Sequence, residues 1–166
     1  MSTSLIYLGF GARTYKYCNT KYQEGAVFFH LEQKPEYQRC VVCGSRDVIR
    51  EGVEKYTVRT LPIGSRAVFF VLNLHVLRCK ECGAVRQESR DVAEPRKSYT
   101  KAFARYVLGL VEHMTISAVA RHLGVGWGLV KSILKKDLEK KPGGTCGEKS
   151  GVLPLMRLRY ARDTGT

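Results

Sequence analysis

No hydrophobic run in this 166-residue sequence is long enough to cross a bilayer, and no signal-like segment opens it. A soluble, cytoplasmic chain is therefore expected, in a compartment where thiols stay reduced. Carboxylates are scarce: 15 stand against 28 Lys and Arg, for a net charge of +13 and an isoelectric point near 9.7. That balance favours a polyanionic partner, most simply nucleic acid. Histidine is sparse too, and His30, His75, His113 and His122 have no ligand spacing to one another, so a histidine-built metal site is not expected. Internal repeats of useful length are absent, although 44% apolar content is enough to fill a core.

What the chain does have is two cysteine knuckles, Cys40-Val-Val-Cys43-Gly44 and Cys79-Lys-Glu-Cys82-Gly83. A Cys-x-x-Cys turn followed by Gly lets two sulfurs converge, and two such turns supply the four thiolates of a closed structural Zn²⁺ site. Zinc held by Cys40, Cys43, Cys79 and Cys82 is therefore predicted, rather than disulfides. Between Cys43 and Cys79 the chain must fold back on itself. Val53 to Leu61 and Arg66 to Leu77 are rich in Val, Phe, Leu and Thr, with Pro62-Ile-Gly64-Ser between them as a turn. In the second arm Val68, Phe70, Leu72, Leu74 and Val76 share one strand face, so a long β-ribbon is predicted to carry a knuckle on each arm at its open end. Cys18 and Cys146 have no such partner and read as ordinary thiols.

The predicted fold class is α+β. A small β-rich lead-in, 1–38, holds a hairpin in which Tyr15 to Tyr22 and Ala26 to Leu31 flank the turn signal Gln23-Glu-Gly25. The zinc ribbon covers 39–90, a polar linker 91–98, a helical DNA-binding domain 99–141, and an irregular Gly-rich tail 142–166. Within the helical part, Thr115 is placed to cap a short helix over Ile116 to Leu123, with Ile116, Val119, Ala120 and Leu123 on one face. Gly124 supplies the sharp turn. Trp127 to Lys141 forms a second helix with Val130, Ile133, Leu134 and Leu138 facing inward. A small residue at the crossing, a Gly able to take positive φ and an apolar anchor on the second helix make a helix-turn-helix pattern. Its outward positions, Trp127, Lys131, Ser132, Lys135 and Lys136, are candidates for base edges and phosphates, with Arg121, Arg96 and Lys97 as further basic contacts. Trp127 is expected to be partly buried at the helix junction. The segment from Arg96 to Lys141 carries a net charge of +7, which places the basic excess on this motif.

The order Cys40-x-x-Cys43-Gly-Ser-Arg-Asp-Val, Arg59-Thr-Leu-Pro-Ile-Gly64, Cys79-x-x-Cys82-Gly-Ala-Val-Arg and Thr115-Ile-Ser-Ala-Val-Ala-Arg-His-Leu-Gly-Val125 resembles the amino-terminal part of insertion-sequence transposases of the ISL-three family. The resemblance runs from about Met1 to Lys141. It implies a zinc-binding region and a helix-turn-helix that recognise terminal inverted repeats in double-stranded DNA, ahead of a ribonuclease-H-like domain performing two-metal phosphoryl transfer. It also implies a bacterial, nucleoid-associated protein, and is compatible with a homodimer. That catalytic domain is not expected in this chain, which is read as no enzyme by itself. After Lys141 the resemblance stops, and one codon choice for Leu155 to Thr166, shifted in frame, encodes Asp-Glu-Ile-Ala-Ile-Arg-Lys-Gly-His-Arg-Tyr. That hidden segment is similar to the one bearing the family's first catalytic aspartate, so a frame change near Lys141 or Pro142 is the reading adopted. Two alternatives remain: a nuclease built from Asp47, Asp91, Asp137 and Asp163, disfavoured by motif context and length, and a stand-alone zinc-ribbon and helix-turn-helix regulator.

Overall fold

The computed structural model describes residues 5–140; Lys141, Cys146, Asp163 and the whole 142–166 stretch with its shifted-frame reading lie outside the described residues. A single π-helical turn, Leu5–Gly9, leads into two hairpins. The first joins Tyr15–Gln23 (β1) to Ala26–Gln33 (β2) through Glu24 and Gly25, both at positive φ. The second joins Val48–Ile63 (β3) to Arg66–Cys79 (β4), with Gly64 at φ 60° in its turn. Both arms are longer than the apolar patterning alone predicts. They run on to the cysteine knuckles, as the ribbon reading requires.

The two hairpins are not separate modules. β2 pairs with β4 in parallel, Val27 opposite Val68 through Glu32 opposite Asn73, giving the sheet order β1-β2-β4-β3. Val85–Gln87 (β5) extends the same edge of β4, opposite Val76 to Arg78. One face of this sheet holds the larger core. Side chains alternate across a strand, and Val27, Phe29 and Leu31 on β2 meet Val68, Phe70, Leu72 and Leu74 on β4, all buried. Ile6 and Phe10 from the leading turn close over them, and the Phe10 ring meets Phe70 edge-on at 5.4 Å. Val92 and Ala93 complete the cluster. The polar stretch 91–98 is therefore no free linker: two of its side chains belong to the sheet's core.

Three helices follow: Lys101–Val111 (α1), Ile116–Leu123 (α2) and Trp127–Lys140 (α3). Thr100 caps α1, accepting from the Phe103 amide at 3.1 Å, and Thr115 caps α2 by accepting from the Ala118 amide at 3.3 Å. Their second core joins Phe103 and Val107 to Val119, Ala120, Leu123, Val130 and Ile133. The bundle is tied to the sheet along the outer edge of β3. There the Arg59 amide donates to the Ser98 carbonyl and the Thr100 amide to the Arg59 carbonyl, both at 2.8 Å. Through these two bonds the chain entering α1 covers an edge that would otherwise be unpaired.

Candidate metal centre and nucleic-acid interface

The knuckles are near copies of one another. In the first, the Gly44 amide donates to the Cys40 carbonyl at 2.9 Å and the Cys40 amide to the Ser45 carbonyl at 2.8 Å. In the second, Gly83 donates to Cys79 at 3.1 Å and Cys79 to Ala84 at 3.0 Å. Gly44 and Gly83 sit at φ 77° and 68°, a conformation that L side chains resist, which explains the Gly after each Cys-x-x-Cys. The antiparallel ribbon then sets the two turns face to face, Val48 opposite Cys79. Cys40 Sγ lies 3.6 Å from Cys82 Sγ, and Cys43 Sγ 3.5 Å from Cys79 Sγ. All four sulfurs fall within 4.8 Å of one another.

Those separations are far beyond the ~2.05 Å of a disulfide. A tetrahedron of thiolates at ~2.3 Å from a central ion has edges of roughly 3.8 Å, close to the observed spacing. The four cysteines thus form a site able to hold a metal ion. Their electrostatics point the same way. Cys40 is pushed down to about 6 because the Cys43 and Val42 amides point at its sulfur. Cys43 is pushed up to about 12: the Ser45 amide pulls it down, but the crowding thiol of Cys79, burial and the Cys40 and Cys82 thiols outweigh that pull. Four sulfurs this close cannot share negative charge without a cation among them. Among the described residues this is the one cluster of three or more His, Cys, Asp or Glu groups able to hold a metal. Asp47, Asp91 and Asp137 are not brought together, and Asp47 pairs with Lys80 at 2.7 Å.

Behind the knuckles a polar relay fixes the ribbon to the sheet. Arg50 donates twice to Gln38 Oε1, at 3.0 and 2.9 Å, while Gln38 Nε2 donates to Glu88 Oε2 at 3.1 Å. Glu32 contacts both Arg50, at 3.7 Å, and His75, at 3.0 Å. Burial pushes the Glu88 carboxyl up, partly opposed by the His75 amide hydrogen bond. Nothing in the sequence singles out these residues, because they become neighbours only through strand register.

At the helical end, Gly124 adopts φ 61° and ψ 40°, and the amides of Gly124 and Val125 return to the Ala120 and Arg121 carbonyls that α2 leaves open. α3 then crosses with Val130 and Ile133 buried. Its outer face presents Trp127, Lys131, Ser132 and Lys135 together, all exposed. Lys131 Nζ stands 4.9 Å from the centre of the Trp127 ring, and Lys135 lies 3.8 Å from Glu139. Ser132 returns its hydroxyl to the Leu129 carbonyl at 2.8 Å. Arg121 on α2 and Arg96 before α1 are exposed and Lys97 is half-buried, its carbonyl accepting from the Tyr56 hydroxyl at 3.0 Å.

Three expectations need correction. Trp127 is 49% exposed rather than tucked into the helix junction, since Leu129 and Val130, one and two positions past Gly128, take the inward direction. Leu138 is 63% exposed, because seven positions after Lys131 it shares the helical phase of that exposed residue and not that of the buried Val130 and Ile133. Lys136 does not share the Lys131 and Lys135 face: it turns toward α1 and forms an ion pair with Glu94. Sequence reasoning also missed the role of Arg59. Its guanidinium donates to the Leu123 carbonyl at 3.0 Å and stacks 4.8 Å over the Phe69 ring, locking the end of α2 to the sheet.

A metal-ready ribbon joined to a three-helix unit with a left-handed glycine between its last two helices defines a helix-turn-helix protein with a four-cysteine site able to hold a metal ion. Residues 88–137 match the model of the helix-turn-helix domain of transposase family ISL3, so this stretch is similar to the helix-turn-helix of those transposases. No curated protein and no solved structure matches the chain. No helix among the described residues is long and apolar enough to cross a membrane.

Proposed function

We propose that the chain is the DNA-recognition part of an insertion-sequence transposase, reading the terminal inverted repeats of its element with α3 while Zn²⁺ closes the cysteine site. The observation that carries this reading is the exposed row Trp127, Lys131, Ser132 and Lys135 on the second helix of a transposase-type helix-turn-helix. In such motifs the second helix lies in the major groove and its N-terminal residues meet base edges. Ser132 and Lys131 are assigned to bases, and Lys135 to phosphate with Arg121, Arg96 and Lys97 as flanking charges. Lys136 keeps only an indirect part, since its ammonium is engaged by Glu94. The role given to the described residues is binding, not strand cleavage, within the bacterial cytoplasm at the nucleoid; a homodimer suits paired ends. Zinc is the metal of choice because closed four-thiolate sites select it.

The test is a binding titration of purified protein against duplexes carrying the element's end and against scrambled duplexes. Preference for the end supports the reading. Removing the Lys135 ammonium should weaken both duplexes alike and lower the salt slope by about 0.9, whereas Ser132→Ala should alter the preference between them. Preference for a promoter site over the element's end would instead favour a stand-alone regulator.

A further inference from the structure

The sheet has a second face that neither the core nor the metal site uses. Register places Lys21, Phe28, Phe69 and Arg59 in one row across β1, β2, β4 and β3. Phe28 and Phe69 stack at 5.0 Å between ring centres with 12° between planes. Two residues further along the strands stands His30, with Lys21 and Lys55 acting on its ring from either side and, after burial, disfavouring its charged form. Lys21 and Lys55 are exposed and no salt bridge engages either among the described residues. Glu32 occupies the opposite end of this face, held by Arg50 and His75.

This surface is continuous with the helix-turn-helix. A cleft of about 320 Å³ between them is lined by Thr57, Arg59 and Phe69 from the sheet and by Gly124, Gly126 and Leu129 from the turn and the start of α3. Lys55 lies four positions from Arg59 along β3, about 13 Å at 3.3 Å per residue. Lys21 stands on the second strand over from β4, about 10 Å from Phe69. Both distances are well inside one turn of duplex, about 34 Å.

We propose that this face carries the phosphate backbone of the duplex immediately beside the site read by α3, with Lys21 and Lys55 as the phosphate contacts. The inference rests on the assignment of α3 to DNA. Duplex backbone is favoured over stacked single-stranded bases because both faces of the Phe69 ring are taken, one by Phe28 and the other by the Arg59 guanidinium. The aromatic pair therefore stiffens the face and aims Arg59, while the two lysines supply the charge. Each lost phosphate contact lowers the salt slope by about 0.9, a factor of about eight at 0.1 M salt, so losing both costs on the order of fifty-fold.

The experiment uses the zinc-loaded full chain with mixed-sequence 12- and 30-base-pair duplexes and a 30-nucleotide single strand, titrated from 0.05 to 0.3 M salt. Three double variants are compared: Lys21→Ala with Lys55→Ala, Lys131→Ala with Lys135→Ala, and Lys34→Ala with Lys80→Ala at the metal end of the sheet. The expected result is that the first pair loses about fifty-fold on the long duplex and markedly less on the short one, with a slope reduced by about 1.8. The second pair should lose on both, and the third on neither. An equal loss from the third pair, or no loss from the first, overturns the assignment of this face while leaving α3 in place. A loss from the first pair alone removes α3 as the reader and, with it, the placement of this face beside the reading helix. Binding of the single strand in preference to the duplex, abolished by Phe28→Ala, overturns the proposal in favour of base stacking.

Discussion

Replacing Cys79 with Ser takes one of four sulfurs from the metal site, and the structure says how far the damage spreads. Structural zinc supplies on the order of 10 kcal/mol or more in small modules. Here that energy is concentrated at one end. The half of the ribbon nearest the knuckles leaves Ile49 47% and Val53 56% exposed and buries only Leu74 and Leu77 among its leucines, whereas Phe70 and Leu72 in the other half are fully buried within the large core. A narrow ribbon with so little apolar surface buried, flanked only by the three-residue β5, is marginal by itself. Without the metal, the ladder from Val48 to Arg50 against Leu77 to Cys79 should open at a cost near zero, compared with about 4 kcal/mol or more when loaded, roughly a thousandfold in amide exchange rate. The sheet core and the helices should stay protected. Amide hydrogen exchange followed by NMR, with zinc content measured in parallel, tests this. The reasoning fails if Val48 to Arg50 stay protected in metal-free Cys79→Ser, and equally if Phe70 and Leu72 lose protection together with them.

Truncating Phe70, wholly buried at the centre of the larger core, should cost about 3–5 kcal/mol in urea denaturation. Gly124→Ala forces a side chain into the left-handed region at φ 61° and should cost about 1–2 kcal/mol, read as a lowered melting temperature of the helical part. Thr115→Ala removes the acceptor for the Ala118 amide, with a loss of about 1 kcal/mol. Because the folded Glu88 carboxyl is raised above its unfolded value, the folded state holds the proton more tightly. Its contribution to stability is present at low pH and is lost as pH rises through the raised value. Glu88→Gln should therefore flatten that fall, and denaturation midpoints at pH 5 and pH 8 would show it; an unchanged pH dependence would contradict the assignment.

The local features were legible in the sequence because they rest on local rules. Gly64 and Gly124 turn the chain through positive-φ conformations that few other residues allow, and Thr115 caps α2 through its side-chain hydroxyl. The knuckles were legible because thiolate spacing and ion geometry coincide. What stayed hidden depends on contacts between distant segments. The parallel pairing of β2 with β4 joins stretches roughly forty residues apart, and Val27, Phe29 and Leu31 would alternate in the same way in an isolated hairpin. Lys136 reads as outward by helical phase, yet Glu94, on a segment that the sheet core anchors, draws it aside. Trp127 and Leu138 lie at the margins of an apolar stripe, where the pattern cannot say how much a neighbouring helix covers.

The parallel pairing also sets a timetable. A ribosome releases β2 long before β4, and at about 5–20 residues per second the apolar edge waits roughly 2–8 s for its partner. During that interval the nascent first hairpin, with the greasy side of β2 bare, is the stage most open to capture by chaperones or by a sister chain on the same messenger.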